Sequence, residues 1–269
     1  MEFLPYFISF YDQIDVFLVV LVRVLAFFMF VPVLSGMSIP LQIRLFLAVF
    51  FSAAIFTSGV VTAVTYHDST FGLGMLLLHE FMTGALMGFV LLVILNAILF
   101  AGQLMDFSIG FSMVNVLDPI QQIQVPIIGN FMFMSVSVLL VVTGGLNRFI
   151  QVFYRSYQFL QPGTAIIIGN QDLAQFIVVM LLSFLLLAVQ IAIPIVGALL
   201  IVNVILGIMV KAVPQMNVFV VGMPLKVLVG IFLMFTVMAP ALLGIYDTVF
   251  YGALETLEGI IRGMTPSEY

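Results

Sequence analysis

His79 and Glu80 stand side by side in a chain of 269 residues with two histidines, twelve acids, seven basic residues and no cysteine. An adjacent His and Glu invites a zinc-protease reading, in which two histidines one helical turn apart hold the metal and the glutamate is the base. There is no HExxH here, the other histidine (His67) falls in a polar connection, and no thiolate can contribute, so a metal site is not expected. Asp106 and Asp118 suggest an aspartyl dyad, a chemistry that needs two carboxylates sharing one proton where water is admitted. Both lie in one short segment, and Asp118 precedes Pro119, a pairing that starts turns. Turn or cap roles are the expectation for both. Gly110-Phe111-Ser112-Met113-Val114 lacks the closing glycine of a hydrolase elbow and has no local histidine as base. No catalytic, cofactor-binding or metal-binding constellation emerges, and the chain is expected not to be an enzyme.

Arg23 and Glu80 are the two charges that demand an explanation, because each sits well inside an apolar run. A charge at the centre of a membrane helix costs about 2.5–3.5 kcal/mol on insertion scales. Two readings are open: an ion or proton path, or an interior ion pair (or a contact with a neighbouring subunit). No second acid–base chain runs through the apolar segments, which favours the structural reading.

The elements that must position these residues follow from composition. Hydrophobic residues make up 64% of the chain and charged residues 7%, with a mean hydropathy of +1.33. A soluble domain carries roughly a quarter of its residues charged, so most of this surface must face lipid or other protein. A net charge of −5 and a pI near 4.7 provide no basic patch for nucleic acid. Trp is absent while Phe reaches 28; Trp usually marks the headgroup level, and its absence hints that much of the surface meets protein. The first residues lack the basic region of a signal peptide, so insertion is expected to use the first apolar run.

Six apolar runs are separated by polar or Gly/Pro punctuation: 16–34, 45–64, 71–99, 126–143, 176–210 and 218–246. They are continuously apolar, without the alternation of barrel strands. The expected fold is all-α, a polytopic helical membrane protein of about six apolar helices in hairpins. The run 71–99 would reach about 44 Å, beyond a hydrocarbon core of about 30 Å. Residues 101–125 are too polar to span and too apolar for an ordinary solvated loop, and 147–175 reads as the longest hydrophilic connection. Pro194 is placed to kink the fifth run. Lys211 and Lys226 flank a turn at 213–217 and with Arg44 favour cytoplasmic odd-numbered connections; Arg148 and Arg155 pull the other way. The Met and Phe residues within 107–117 fit a deformable pore seal, but amphipathic core filling is the commoner use of such residues and is favoured on sequence alone.

Three stretches resemble the FliR family of flagellar type III export-gate subunits, whose injectisome counterparts are the SctT proteins. The first is Arg23-Val24-Leu25-Ala26, continuing through Val31-Pro32-Val33-Leu34-Ser35 to Ile39-Pro40. The second is Ala101-Gly102-Gln103, then Gly110-Phe111-Ser112, closing on Leu117-Asp118-Pro119. The third and most specific runs from Val213-Pro214-Gln215-Met216-Asn217 to Gly222-Met223-Pro224-Leu225-Lys226, and its Gly-Met-Pro ending looks flagellar. The resemblance covers essentially the whole chain as a single export-gate domain. It implies a FliP-like part at 1–175 followed by a FliQ-like helical hairpin at 176–269. It implies a subunit that forms, with FliP and FliQ, the channel through which unfolded flagellar proteins cross the bacterial inner membrane at the basal body. Helices that composition marks as spans are, in that family, largely raised out of the bilayer plane and packed on partners. It implies a plug over 107–119, with Phe111, Met113, Val114, Val116 and Leu117 as apolar seal residues and Gly110, Asp118 and Pro119 as its turns. Pro214, Gln215, Met216 and Asn217 would form a cytoplasmic turn contacted by FlhB, with FlhA a further partner. The competing reading is a secondary transporter of a small solute, which inverted repeats with paired broken helices would support; Pro194, Pro224 and Pro240 all fall in one half.

Overall fold

The structure, a computed structural model, describes residues 13–31, 39–61, 64, 70–111, 126–163, 171–215 and 217–264. Among these residues there are seven helices and no strand: α1 (Ile14–Phe30), α2 (Leu41–Thr57), α3 (Thr70–Ile109), α4 (Ile127–Val142), α5 (Gly145–Phe159), α6 (Gln171–Ala212) and α7 (Val218–Met264). Each of the six apolar runs becomes a helix, and the chain is a polytopic helical membrane protein. Two departures from the expected organisation have physical reasons. The connection expected at 147–175 contains α5, because Phe149, Val152, Phe153, Ser156 and Tyr157 recur every three or four residues and form one buried face. The polar stretch from 101 does not end α3. Ala101, Met105 and Ile109 are buried at helical spacing, and Asp106 finds its partners in α4.

By length and composition, Phe71–Ile109 of α3 and Leu173–Ala212 of α6 can each cross a membrane, and a third span results if α4 and α5 count as one bent span. The segments Leu41–Thr57 and Val220–Thr236 are apolar but shorter. With 40, 42 and 47 residues, α3, α6 and α7 are each about 60–70 Å long at ~1.5 Å per residue, twice the hydrocarbon thickness. Only 28% of the most apolar window of α6 is buried, and Leu182, Leu186, Leu200, Ile201, Val204 and Ile208 are all exposed on it. Surfaces of this kind require lipid or another apolar chain.

The chain divides into two compact units. The first takes in the described residues of Met1–Val93, Gly144–Met180 and Gly252–Tyr269; the second those of Ile94–Thr143 and Leu181–Tyr251. In the first unit α1 and α2 form an antiparallel hairpin, with edge-on ring contacts Phe28–Phe51 at 5.5 Å and Phe17–Phe56 at 5.9 Å. The buried residues of α1 (Val16, Val19, Val20, Arg23, Val24, Phe27) follow the 3.6-residue period. Phe27 stacks on Phe153 of α5 with centroids 4.4 Å apart.

α3 meets α1 backbone to backbone through Gly84 and Gly88, a small-xxx-small pair of the kind that brings membrane helices close. A Cβ on Gly84 would collide with the carbonyl oxygen of Arg23, and one on Gly88 would lie 2.6 Å from the carbonyl oxygen of Phe27. Those oxygens belong to the α1 backbone and cannot swing aside. We expect Gly84→Ala and Gly88→Ala each to destabilise the chain by about 1–3 kcal/mol through overpacking. Gly74→Ala and Gly197→Ala, where an added Cβ meets nothing within 4 Å, are expected to be neutral or mildly stabilising through helix propensity. Thermal unfolding of the full chain in detergent measures the contrast, and equal behaviour of all four variants would refute the close crossing.

In the second unit the α3 and α4 backbones cross at Gly102 and Gly129, where a Cβ on Gly102 would overlap the Gly129 backbone. α6 and α7 form a hairpin in which Gly222 faces the Leu206 side chain at 3.1 Å. Pro194 is accommodated within α6.

Candidate functional site: a buried ion pair, an anchored loop and an exposed turn

Arg23 and Glu80 come together in the first unit. The Arg23 Nε donates to Glu80 Oε2 at 2.5 Å, and both side chains are fully buried. The Arg23 Nη1 and Nη2 groups both donate to the carbonyl oxygen of Leu160, each at 3.1 Å. Glu80 Oε1 in turn accepts the backbone N–H of Gly163 at 3.1 Å. The guanidinium lies 4.3 Å from the centre of the Tyr157 ring, whose hydroxyl donates to the Val20 carbonyl at 3.3 Å. Arginine suits this position because its planar fork can serve a carboxylate and a carbonyl at once while stacking on an aromatic face. The network ties α1, α3 and the end of α5 together, and no buried side-chain nitrogen or oxygen among the described residues lacks a partner. A set of this kind, closed among the described residues, holds helices together. His79 is half-buried next to Glu80, and no group of metal-ligating side chains exists among the described residues.

The second feature is an anchored loop. Asp106, in the last turn of α3, is buried and reaches the first turn of α4. Its Oδ1 accepts the N–H of Ile128 at 3.0 Å and its Oδ2 that of Gly129 at 3.2 Å. The N-cap of α4 is Pro126, which has no side-chain oxygen to offer. The carboxylate thus supplies from another helix the acceptor, and the negative charge at a positive helix end, that an N-cap residue normally provides. With the Gly102–Gly129 crossing, this fixes the two ends of the intervening segment side by side. Gly110 leaves α3 with φ +100°, a conformation glycine adopts at little cost, and the N–H groups of Gly110 and Phe111 both reach the Asp106 carbonyl at 3.1 Å.

Of the residues named for the plug, Gly110 and the half-buried Phe111 stand at this exit. Met113, Val114, Val116, Leu117, Asp118 and Pro119 lie outside the described residues. Residues 107–109 of that segment form the last turn of α3.

The third feature is the connection between α6 and α7. Val213, Pro214, Gln215 and Asn217 are exposed, and the Asn217 carbonyl accepts the N–H groups of Val220 and Val221 at 3.1 and 3.3 Å, opening α7. Met216 lies outside the described residues. Lys211 is exposed on the α6 side of the turn and Lys226 is half-buried on the α7 side.

Sequence reasoning named Gly102 only within the family resemblance and did not single out Gly84, Gly88 and Gly129, which with it set the helix crossings, although the Gly84-xxx-Gly88 spacing in an apolar run was a readable signal. It named Arg23 and Glu80 without a means of joining two residues 57 positions apart.

A sequence profile of the bacterial export proteins, family 1, matches residues 14–252. The flagellar biosynthetic protein FliR of Bacillus subtilis is 30% identical over 254 residues, covering 94% of this chain and 97% of its own length. The FliR of Escherichia coli is 29% identical, covering 90% of each chain. The surface presentation of antigens protein SpaR of Shigella flexneri is 26% identical over 84% of this chain and 88% of its own. The match spans α1 to α6 and most of α7, and takes in the ion pair, the anchored loop and the exposed turn: the chain belongs to the bacterial export proteins, family 1.

Proposed function

We propose that this chain is a core subunit of a flagellar type III protein export apparatus in the bacterial inner membrane, at the flagellar basal body. The observation that carries this reading is the near full-length likeness to flagellar FliR proteins. In the finer form of the proposal, the chain forms with FliP and FliQ the channel through which unfolded flagellar proteins leave the cytoplasm. Residues 1–175 are its FliP-like part and 176–269 its FliQ-like hairpin. The exposed apolar faces of α6 and the lengths of α3, α6 and α7 support a subunit that packs on apolar partners. The loop pinned by Asp106 serves as the plug, with Phe111, Met113, Val114, Val116 and Leu117 closing the pore by excluding water and Gly110, Asp118 and Pro119 shaping its turns. Ends held in place suit a gate: a translocating chain displaces the segment between them while the helices stay in place. The turn at Pro214, Gln215, Met216 and Asn217 faces the cytoplasm and meets FlhB, with FlhA a further partner.

Two measurements on one preparation test this. Detergent extraction of the tagged full chain is expected to bring down FliP and FliQ; recovery of the chain alone would contradict the subunit reading. A cysteine replacing Gln215 in this cysteine-free chain is expected to react with a membrane-impermeant thiol reagent in inverted vesicles and not in intact spheroplasts. Protection of that cysteine when FlhB is present is the expected sign of the partner contact. Labelling from the periplasmic side would overturn the topology that Lys211 and Lys226 imply.

A further inference from the structure

The first unit contains a partly open cavity of about 560 Å³ between α1, α2 and α5. This volume lies within the range of small-molecule sites. Its wall is aromatic and aliphatic, formed by Phe27, Phe28, Phe51, Ile55, Ile150 and Phe153, and its mouth carries Arg155 with Gln151 and Gln158. Arg155 is exposed, and among the described residues it takes part in no ion pair or hydrogen bond. The helix that bears it, GLNRFIQVFYRSYQF, has two arginines and no acid. The site therefore has two chemically distinct parts: an apolar interior, and one cation at the entrance whose charge no described residue of the unit neutralises.

We infer that this cavity binds one anionic phospholipid, an acyl chain lying among Phe28, Phe51 and Phe153 and the phosphate on the Arg155 guanidinium. A zwitterionic lipid could fill the interior equally well, but its own ammonium would compete with Arg155 for the phosphate. A free phosphate would satisfy Arg155 and leave the interior empty. Anionic lipid alone meets both parts of the site. The inference does not depend on the plug or on the partners proposed above.

The test uses the full chain, in the assembly in which it is extracted, reconstituted with phosphatidylglycerol or phosphatidylcholine carrying a photoactivatable group on one acyl chain. Mass spectrometry then locates the cross-linked peptides. Phosphatidylglycerol is expected to label α1, α2 and α5 at the cavity, with labelling falling about fivefold in Arg155→Gln and largely retained in Arg155→Lys, as expected for one basic residue at a lipid phosphate. Ala54→Trp, which fills the cavity from α2, is expected to abolish labelling there while labelling of the exposed face of α6 persists. Excess glycerol phosphate is expected not to compete. Equal labelling by both lipids, indifferent to Arg155→Gln, would overturn the inference in favour of ordinary lipid contact. Competition by glycerol phosphate, or labelling undiminished by Ala54→Trp, would overturn it as well.

Discussion

Arg23→Ala is expected to lose about 3–5 kcal/mol of stability, the cost of leaving a buried carboxylate without its partner, and with it most recovery of correctly folded chain. Glu80 keeps only the Gly163 N–H, and the Leu160 carbonyl loses both of its guanidinium donors. Arg23→Lys is expected to restore part of this, since an ammonium can satisfy Glu80 or Leu160 but lacks the planar fork that serves both and stacks on Tyr157. Replacing both charges together, Arg23→Met with Glu80→Leu, removes the orphaned charge but takes these partners from the Leu160 carbonyl and the Gly163 N–H. That double variant is therefore expected to lie between wild type and Arg23→Ala, with a residual cost of about 1–3 kcal/mol for the buried Leu160 carbonyl, while the N–H of the exposed Gly163 can turn to water. Yield and thermal unfolding of the full chain in detergent supply the measurement. Arg23→Ala folding as well as wild type would show that the guanidinium reaches water and that the network is not what joins α1, α3 and α5.

The same network marks where sequence reading ended. Composition alone made the six apolar helices legible, since a run such as 176–210 can satisfy its backbone in an apolar setting only as a helix. The amphipathic α5 was hidden by its arginines and glutamines, although Phe149, Val152, Phe153 and Tyr157 carry its period. The end of α3 was obscured because Gln103, Asp106 and Ser108 read as a break in an apolar run. Asp106 is polar there because another helix needs an acceptor, a requirement that exists only once α4 is in place. The pairing of Arg23 with Glu80 is likewise a property of tertiary packing. An apolar run states that a buried charge needs a partner, not which residue provides it.

The second large effect concerns the loop. Removing residues 111–116 takes away the apolar side chains assigned to the seal nearest α3 and leaves Asp106, Gly102, Ile128 and Gly129 intact. The ends of the segment are held together by the Asp106 carboxylate, so the closure demands little chain. The residues left between Gly110 and Pro126 can still extend about 30 Å, more than that return requires. The deletion is thus expected to spare folding and assembly while removing the barrier. Asp106→Ala is the complementary change: it keeps the seal residues but frees the start of α4, and a smaller leak is expected because the loop is present but no longer held.

The decisive measurement is ion conductance across bilayers or vesicles containing the assembled complex, with assembly verified by co-purification in the same sample. With wild-type chain the membrane is expected to stay tight, and with residues 111–116 deleted it is expected to conduct small ions and solutes. Unchanged, tight membranes around a deleted but fully assembled complex would contradict the proposal that this loop closes an export channel.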